Sequence, residues 1–287
     1  MDGQYSLKGM YDLHVHASPS VVKRKFSAPE ALKLAGDEDM GGFMLLDHMY
    51  NTAPIAHVLN ESGHKTRVFG SILLNESVGG PDPMVVESAI LLGTKQIQLP
   101  TYSSRNHKEK YGDDQSIFPY QKKATGYYLL DNDGRLIPEL EDILMVMKDS
   151  DSFLGTGHLS MKEIQAVVAR AKELQIPVMV TSVSTDIIDL PIEIQKLLSD
   201  EHIFMEHDYA VLTDIVHKKT PIENVVEQIR SVGADHCILA TDSGQQVNPD
   251  LVVCFKNFIE KLMSCGITEN EVELMTIKNP KILLNIK

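Results

Sequence analysis

The chain has 287 residues, 43% of them hydrophobic and 23% charged, which supports a sizeable buried core and argues against disorder. Its 40 acidic side chains against 27 basic ones leave a net charge of -13, which disfavours nucleic-acid backbones and anionic membrane surfaces as partners.

In chain order, eight apolar runs read as strands: Lys8 to His16, Gly42 to His48, Arg67 to Leu74, Lys95 to Leu99, Ser152 to Gly157, Ile176 to Ser182, His202 to Glu206 and His236 to Asp242. Amphipathic stretches fill most of the gaps between them. Such alternation predicts a parallel sheet with crossover helices. Capping boxes are expected at Ser27–Glu30, Ser160–Glu163, Thr220–Glu223 and Thr268–Glu271. Asp82-Pro83 should start a helix that Gly93 stops. An α/β barrel takes about 250 residues. The expected fold is therefore a single (β/α)8 TIM barrel over residues 1–287. Its surplus is a lid-like insertion after strand four, residues 101–137, with a hairpin at Asp133-Gly134.

The chemistry-bearing residues gather at the ends of these runs. Asp12-Leu-His14-Val-His16 closes the first, and side chains two apart on a strand share a face, so both imidazoles can meet one metal ion. His48, His158, Glu206-His207 and Asp242 close or follow the second, fifth, seventh and eighth. In a barrel, strand C-termini converge on one mouth. His107 and Arg105 lie in the insertion, where His107 would reach the site from above and Arg105 would face an anionic substrate group. His57, His64, His202, His217 and His236 fall in helices, loops or strand starts and are read as bland.

These residues resemble the amidohydrolase superfamily of metal-dependent barrel hydrolases. The matching features are the HxH of strand one, His158, Asp242 and the closing Asn279-Pro-Lys-Ile-Leu-Leu284. Segments such as Gly70–Gly80, Gly155–Ser160 and Thr241–Gln245 are more narrowly similar to a poorly characterised amidohydrolase-related group. The resemblance implies that His14, His16, His158 and Asp242 hold a divalent metal. Asp242 would also take a proton from the attacking water. Two departures stand out: strand six ends in Ser182 where the superfamily has a histidine, and strand four offers Gln98-Leu-Pro-Thr101 instead of a bridging lysine or glutamate. One ion is therefore expected over two, with zinc favoured by the histidines. His48, Glu206 or His207 is left to fill a vacant position.

The function implied is hydrolysis of a small molecule at an amide, ester, lactone or related bond by a metal-activated water. Two alternatives stay open. One is a phosphoesterase of the polymerase-and-histidinol-phosphatase type, although the Ser243-Gly244 that follows Asp242 does not supply its late Asp-x-His pair. The other is a ligand-binding barrel that has lost catalysis. Neither a membrane nor a nucleic-acid partner is expected, and a homo-oligomer is left open. The three cysteines, Cys237, Cys254 and Cys265, form no CxxC pair, and the first residues show no signal pattern, so a cytoplasmic protein is expected.

Overall fold

The structure, a computed structural model, describes residues 5–112 and 126–286. Eight parallel strands lie in sequential order: β1 (Tyr11–His16), β2 (Gly42–Leu46), β3 (Arg67–Leu73), β4 (Gln96–Gln98), β5 (Phe153–Gly155), β6 (Val178–Val180), β7 (Ile203–Asp208) and β8 (Cys237–Ala240). Each expected strand is present; most are shorter than their apolar runs, while β7 continues two residues past Glu206 to Asp208. The helices α1 (Ala28–Asp37), α2 (Ala53–Asn60) and α3 (Pro83–Leu91) alternate with the first strands. Next come α4 (Arg105–Tyr111), α5 (Pro138–Met147), α6 (Met161–Glu173), α7 (Ile192–Leu198), α8 (Ile222–Val232) and α9 (Leu251–Ser264), with two short helices, α10 (Glu269–Glu273) and α11 (Asn279–Leu283), at the end. The architecture is a (β/α)8 barrel.

Apart from Arg67 and Phe69, every strand residue is buried, because helices cover the outside and side chains fill the inside. Outward residues such as Val15, Leu45 and Leu239 pack with the helices in the larger core. Inward residues such as Leu13, Met44, Phe153 and Phe204 form a second cluster with Leu283 and Leu284. The closing Asn-Pro segment thus plugs the end where the strands begin, and the Asn279 amide donates to the carbonyls of Ala234 and Cys237 at 2.8 and 2.7 Å.

The seam between β8 and β1 closes by other means. The His16 amide donates to the Ser243 carbonyl at 2.8 Å. Asp12, fully buried, accepts from the amides of His14 and Thr241 at 3.2 and 3.1 Å and from the Thr241 hydroxyl at 2.6 Å. One carboxylate therefore staples the first strand to the last.

Capping boxes form at Ser27, Ser160 and Thr268, Asp82 caps α3, and Gly93 follows that helix at φ +85. The box expected at Thr220 does not form. The α8 helix starts one residue later, with Pro221 at its cap position, and the Thr220 hydroxyl instead donates to the Ser184 carbonyl at 2.7 Å. In the insertion, Leu130 pairs with Leu136 across a turn that holds Gly134 at φ +80, as the Asp133-Gly134 signal predicts. The buried Glu163 carboxylate accepts from the Leu129 amide at 2.8 Å and so ties this hairpin to α6. Residues 113–125 of the insertion lie outside the described residues.

Candidate metal centre

A bulge in β1 aims the two histidines. The pairing of β1 with β2 jumps between Asp12 and Val15, so one extra residue is accommodated. Such a bulge re-phases the strand. Tyr11 and Leu13 face the barrel interior, Val15 turns outward, and His14 and His16 line the cavity at the strand C-termini. This cavity measures about 520 Å³ and also receives His48, Gln98, His158, Ser182 and Asp242.

His14, His16 and Asp242 offer donor atoms that all lie within 4.8 Å of one another. Asp242 Oδ1 stands 3.3 Å from His16 Nε2 and 3.7 Å from His14 Nε2. It sits just past β8 in the left-handed region, at φ +46, and the Gln245 amide donates to the same oxygen at 2.9 Å. Such backbone strain is held only where the surroundings over-determine it. Here Gly244 supplies the close approach, because a Cβ at that position would lie 1.8 Å from the His16 carbonyl oxygen.

Each imidazole is oriented through its other nitrogen. His16 Nδ1 lies 3.1 Å from the Leu46 carbonyl, and His14 Nδ1 lies 3.0 Å from Glu206 Oε1. A carbonyl or carboxylate at Nδ1 fixes the tautomer that leaves Nε2 with its lone pair, the arrangement of metal-bound histidines. Glu206 is itself held, accepting from the Ser182 amide at 3.0 Å.

The electrostatics fit a cation. Burial alone would lower the His14 pKa, but Glu206, Asp242 and Asp208 outweigh it and raise the pKa to about 10. Asp208 lies on the same strand face as Glu206, fully buried, with Oδ1 3.8 Å from His14 Nδ1. Its own burial, with Glu206 beside it, drives its pKa well above the usual carboxylate range. Buried negative charge of this density calls for a positive partner, and a divalent ion can take the place of the His14 proton. Burial, followed by positive neighbours, holds His16 and His48 far below the ordinary imidazole value. Burial and His107 do the same for His158. These three are therefore neutral imidazoles, the protonation state that ligates.

The other expected residues divide. His158 lines the cavity but stands outside the compact trio; its Nδ1 faces His107 Nδ1 at 2.8 Å, with the two rings stacked. His107, on α4, does reach the cavity from the insertion, as do Tyr102 and Tyr111. His48 bonds the Thr101 hydroxyl at 2.9 Å and stacks on Tyr102. Glu206 lies behind His14 and acts as its orienting partner. His207 points the other way, since strand alternation turns it outward, where its Nδ1 meets the Ser184 hydroxyl at 2.8 Å. Arg105 does not face the cavity: its guanidinium lies 4.4 Å over the Tyr128 ring. Nor is His217 bland, because it lines the cavity and stacks on Tyr111 at 3.8 Å.

The cavity's cation is Arg24. Its only sequence signal is the period of two in Val22, Arg24 and Phe26, which turn inward while Lys23 and Lys25 stay exposed. Asp208 could have been found in the same way, two residues after Glu206.

The family model described as a family of unknown function, DUF6282, matches residues 9–206, and the chain belongs to that family. No curated protein is significantly similar to it in sequence. Solved structures similar over nearly the whole chain include an amidohydrolase from Pseudomonas aeruginosa, with a TM-score of 0.66 and 14% identity over 97% of this chain and 96% of that one. A lactonase from Listeria monocytogenes reaches 0.61 at 12% identity, over 98% and 96%. An inactive dihydroorotase-like domain from Chaetomium thermophilum reaches 0.58 at 12% identity, over 98% and 80%. These proteins share the barrel fold of this chain, as the resemblance in sequence implies.

Proposed function

We propose that this DUF6282 barrel is a metal-dependent hydrolase that acts on a small molecule at an amide, ester, lactone or related bond. The observation that carries the proposal is the convergence of His14 Nε2, His16 Nε2 and Asp242 Oδ1 at the mouth of a barrel, above a closed apolar core. His14, His16 and Asp242 would hold one divalent ion, with His158 as a further imidazole in the same cavity. Zinc suits this nitrogen-rich set. When bound, such an ion acidifies water and polarises a carbonyl oxygen.

The chain's own groups supply the rest. Asp242 accepts a proton from the attacking water, with one oxygen oriented by the Gln245 amide. Glu206 and the Leu46 carbonyl hold the two histidines at fixed tautomers. Tyr102 and Tyr111 of the insertion add aromatic wall to the cavity beside the imidazoles. The rival is a barrel that binds without turnover. Its support is Ser182, which stands where a sixth-strand ligand is expected and offers its amide to Glu206.

Metal analysis of protein purified without chelator tests the proposal, followed by a panel of ester, lactone, amide and phosphoester substrates. Stoichiometric transition metal and turnover lost in Asp242→Asn are expected. Absence of bound metal, or equal turnover by both proteins, would refute it.

A further inference from the structure

Arg24 is a buried guanidinium, 9% exposed, in the wall of the cavity. Among the described residues its Nε has no hydrogen-bond partner and no carboxylate forms an ion pair with it. Its one polar side-chain contact there is Nη2 to His16 Nδ1 at 3.3 Å. That contact cannot satisfy it. When His16 keeps its Nε2 lone pair for a metal, Nδ1 carries the proton and donates to the Leu46 carbonyl at 3.1 Å. The same nitrogen then has no lone pair to accept from Arg24.

The guanidinium is therefore a permanently charged, planar fork with unused donors, one imidazole ring away from Asp242. Its position is fixed by its own backbone, since residue 24 bridges Gln245 and its carbonyl accepts from the Gln246 amide. The buried Asp47 carboxylate feels this charge but forms no ion pair with it, so the guanidinium is left without a hydrogen-bonded counter-charge, which is unfavourable in a buried position. The partner that fits is an anion brought in from solution.

We propose that Arg24 forms a carboxylate subsite, so that the substrate is a carboxylate-bearing ester, lactone or amide whose acid group docks on this guanidinium beside the scissile bond. A single free guanidinium matches the charge and the two-oxygen edge of one carboxylate. A phosphate dianion would call for further cations, and Arg24 is the only Lys or Arg side chain lining the cavity among the described residues. The proposal rests on the hydrolase reading. Where the docked acid belongs to the acyl part, addition of water across the C–O or C–N bond frees the alcohol or amine and leaves a second carboxylate, so that product is a dicarboxylate.

Succinate is accordingly the probe, titrated by calorimetry into the purified holoprotein, with its uncharged diamide succinamide and inorganic phosphate as controls. Succinate should bind the wild type about 10- to 100-fold more tightly than Arg24→Gln, the loss expected for a charged hydrogen-bonding partner. It should also bind the wild type more tightly than either control does. Equal affinity for the two proteins, equal binding of succinamide, stronger binding of phosphate, or no saturable binding would overturn the proposal. If Arg24→Gln does not fold, Arg24→Lys keeps the charge but lacks the fork: a several-fold loss supports the subsite and unchanged affinity overturns it. Metal content measured on the same samples separates the two ideas. Protein without metal fails the hydrolase reading, while the dependence of succinate binding on Arg24 is still read.

Discussion

Replacing Asp12 by alanine opens the seam of the barrel. The carboxylate accepts three hydrogen bonds in a fully buried position, two of them from the His14 and Thr241 amides on opposite sides of the seam. The Thr241 hydroxyl can turn to the His14 carbonyl, 3.4 Å away, so alanine strands two amides. Each stranded donor costs about 1–3 kcal/mol. Removing the carboxylate also relieves its desolvation, which is what pushes its pKa up to about 7. The net loss should be about 3 kcal/mol, or roughly 6–10 °C in Tm for a domain of this size. Asparagine keeps an acceptor for both amides and should lose only about 1 kcal/mol. Urea unfolding of chelator-treated protein reads this without a contribution from bound metal. A loss below about 1 kcal/mol in Asp12→Ala, or an Asp12→Asn variant as unstable as Asp12→Ala, would show that the staple does not hold the seam.

Gly244→Ala pushes a Cβ onto the His16 carbonyl at a residue whose φ of +115 already suits glycine alone. It should cost about 2–4 kcal/mol and loosen metal retention, measured by thermal unfolding and metal analysis; an unchanged Tm would contradict the clash. His107→Phe keeps the ring stack but removes the nitrogen that faces His158. Metal affinity should fall about 10-fold, by competition with a chromogenic chelator, with little change in Tm, and an unchanged affinity would mean that His107 does not position His158. Burial holds the His207 pKa at about 3. The unfolded imidazole takes up a proton near pH 6.5 while the folded one stays neutral, so His207 makes stability decline as pH falls from about 6.5 towards 3, by up to ~1.4 kcal/mol per pH unit. In His207→Phe the decline between pH 6.5 and 5 should be shallower; parallel slopes in urea unfolding would exclude the effect.

The barrel was legible because each strand is buried on both faces and so reads as an apolar run, with capping residues marking where helices begin. The insertion was legible by its length, and His107 does reach the cavity. Side chains whose position depends on folding of irregular chain were not. Arg105 had the charge for an anion but sits on Tyr128, while Arg24 hid in a basic run that looks like solvated surface. Thr220 had the pattern of a cap, but the loop after β6 offered its hydroxyl a carbonyl.

By itself, the spacing of His14 and His16 determined that they share a face, since alternation along a strand is local geometry. Which face was a tertiary matter. Leu13 already points into the barrel, and unbroken alternation would have turned both histidines out towards the helices. The extra residue between Asp12 and Val15, accommodated by pairing with β2, brings them inward. Register against a neighbouring strand is a long-range contact, which no pattern within the strand can encode. It decides here that two histidines and an aspartate 226 residues further on meet at one point.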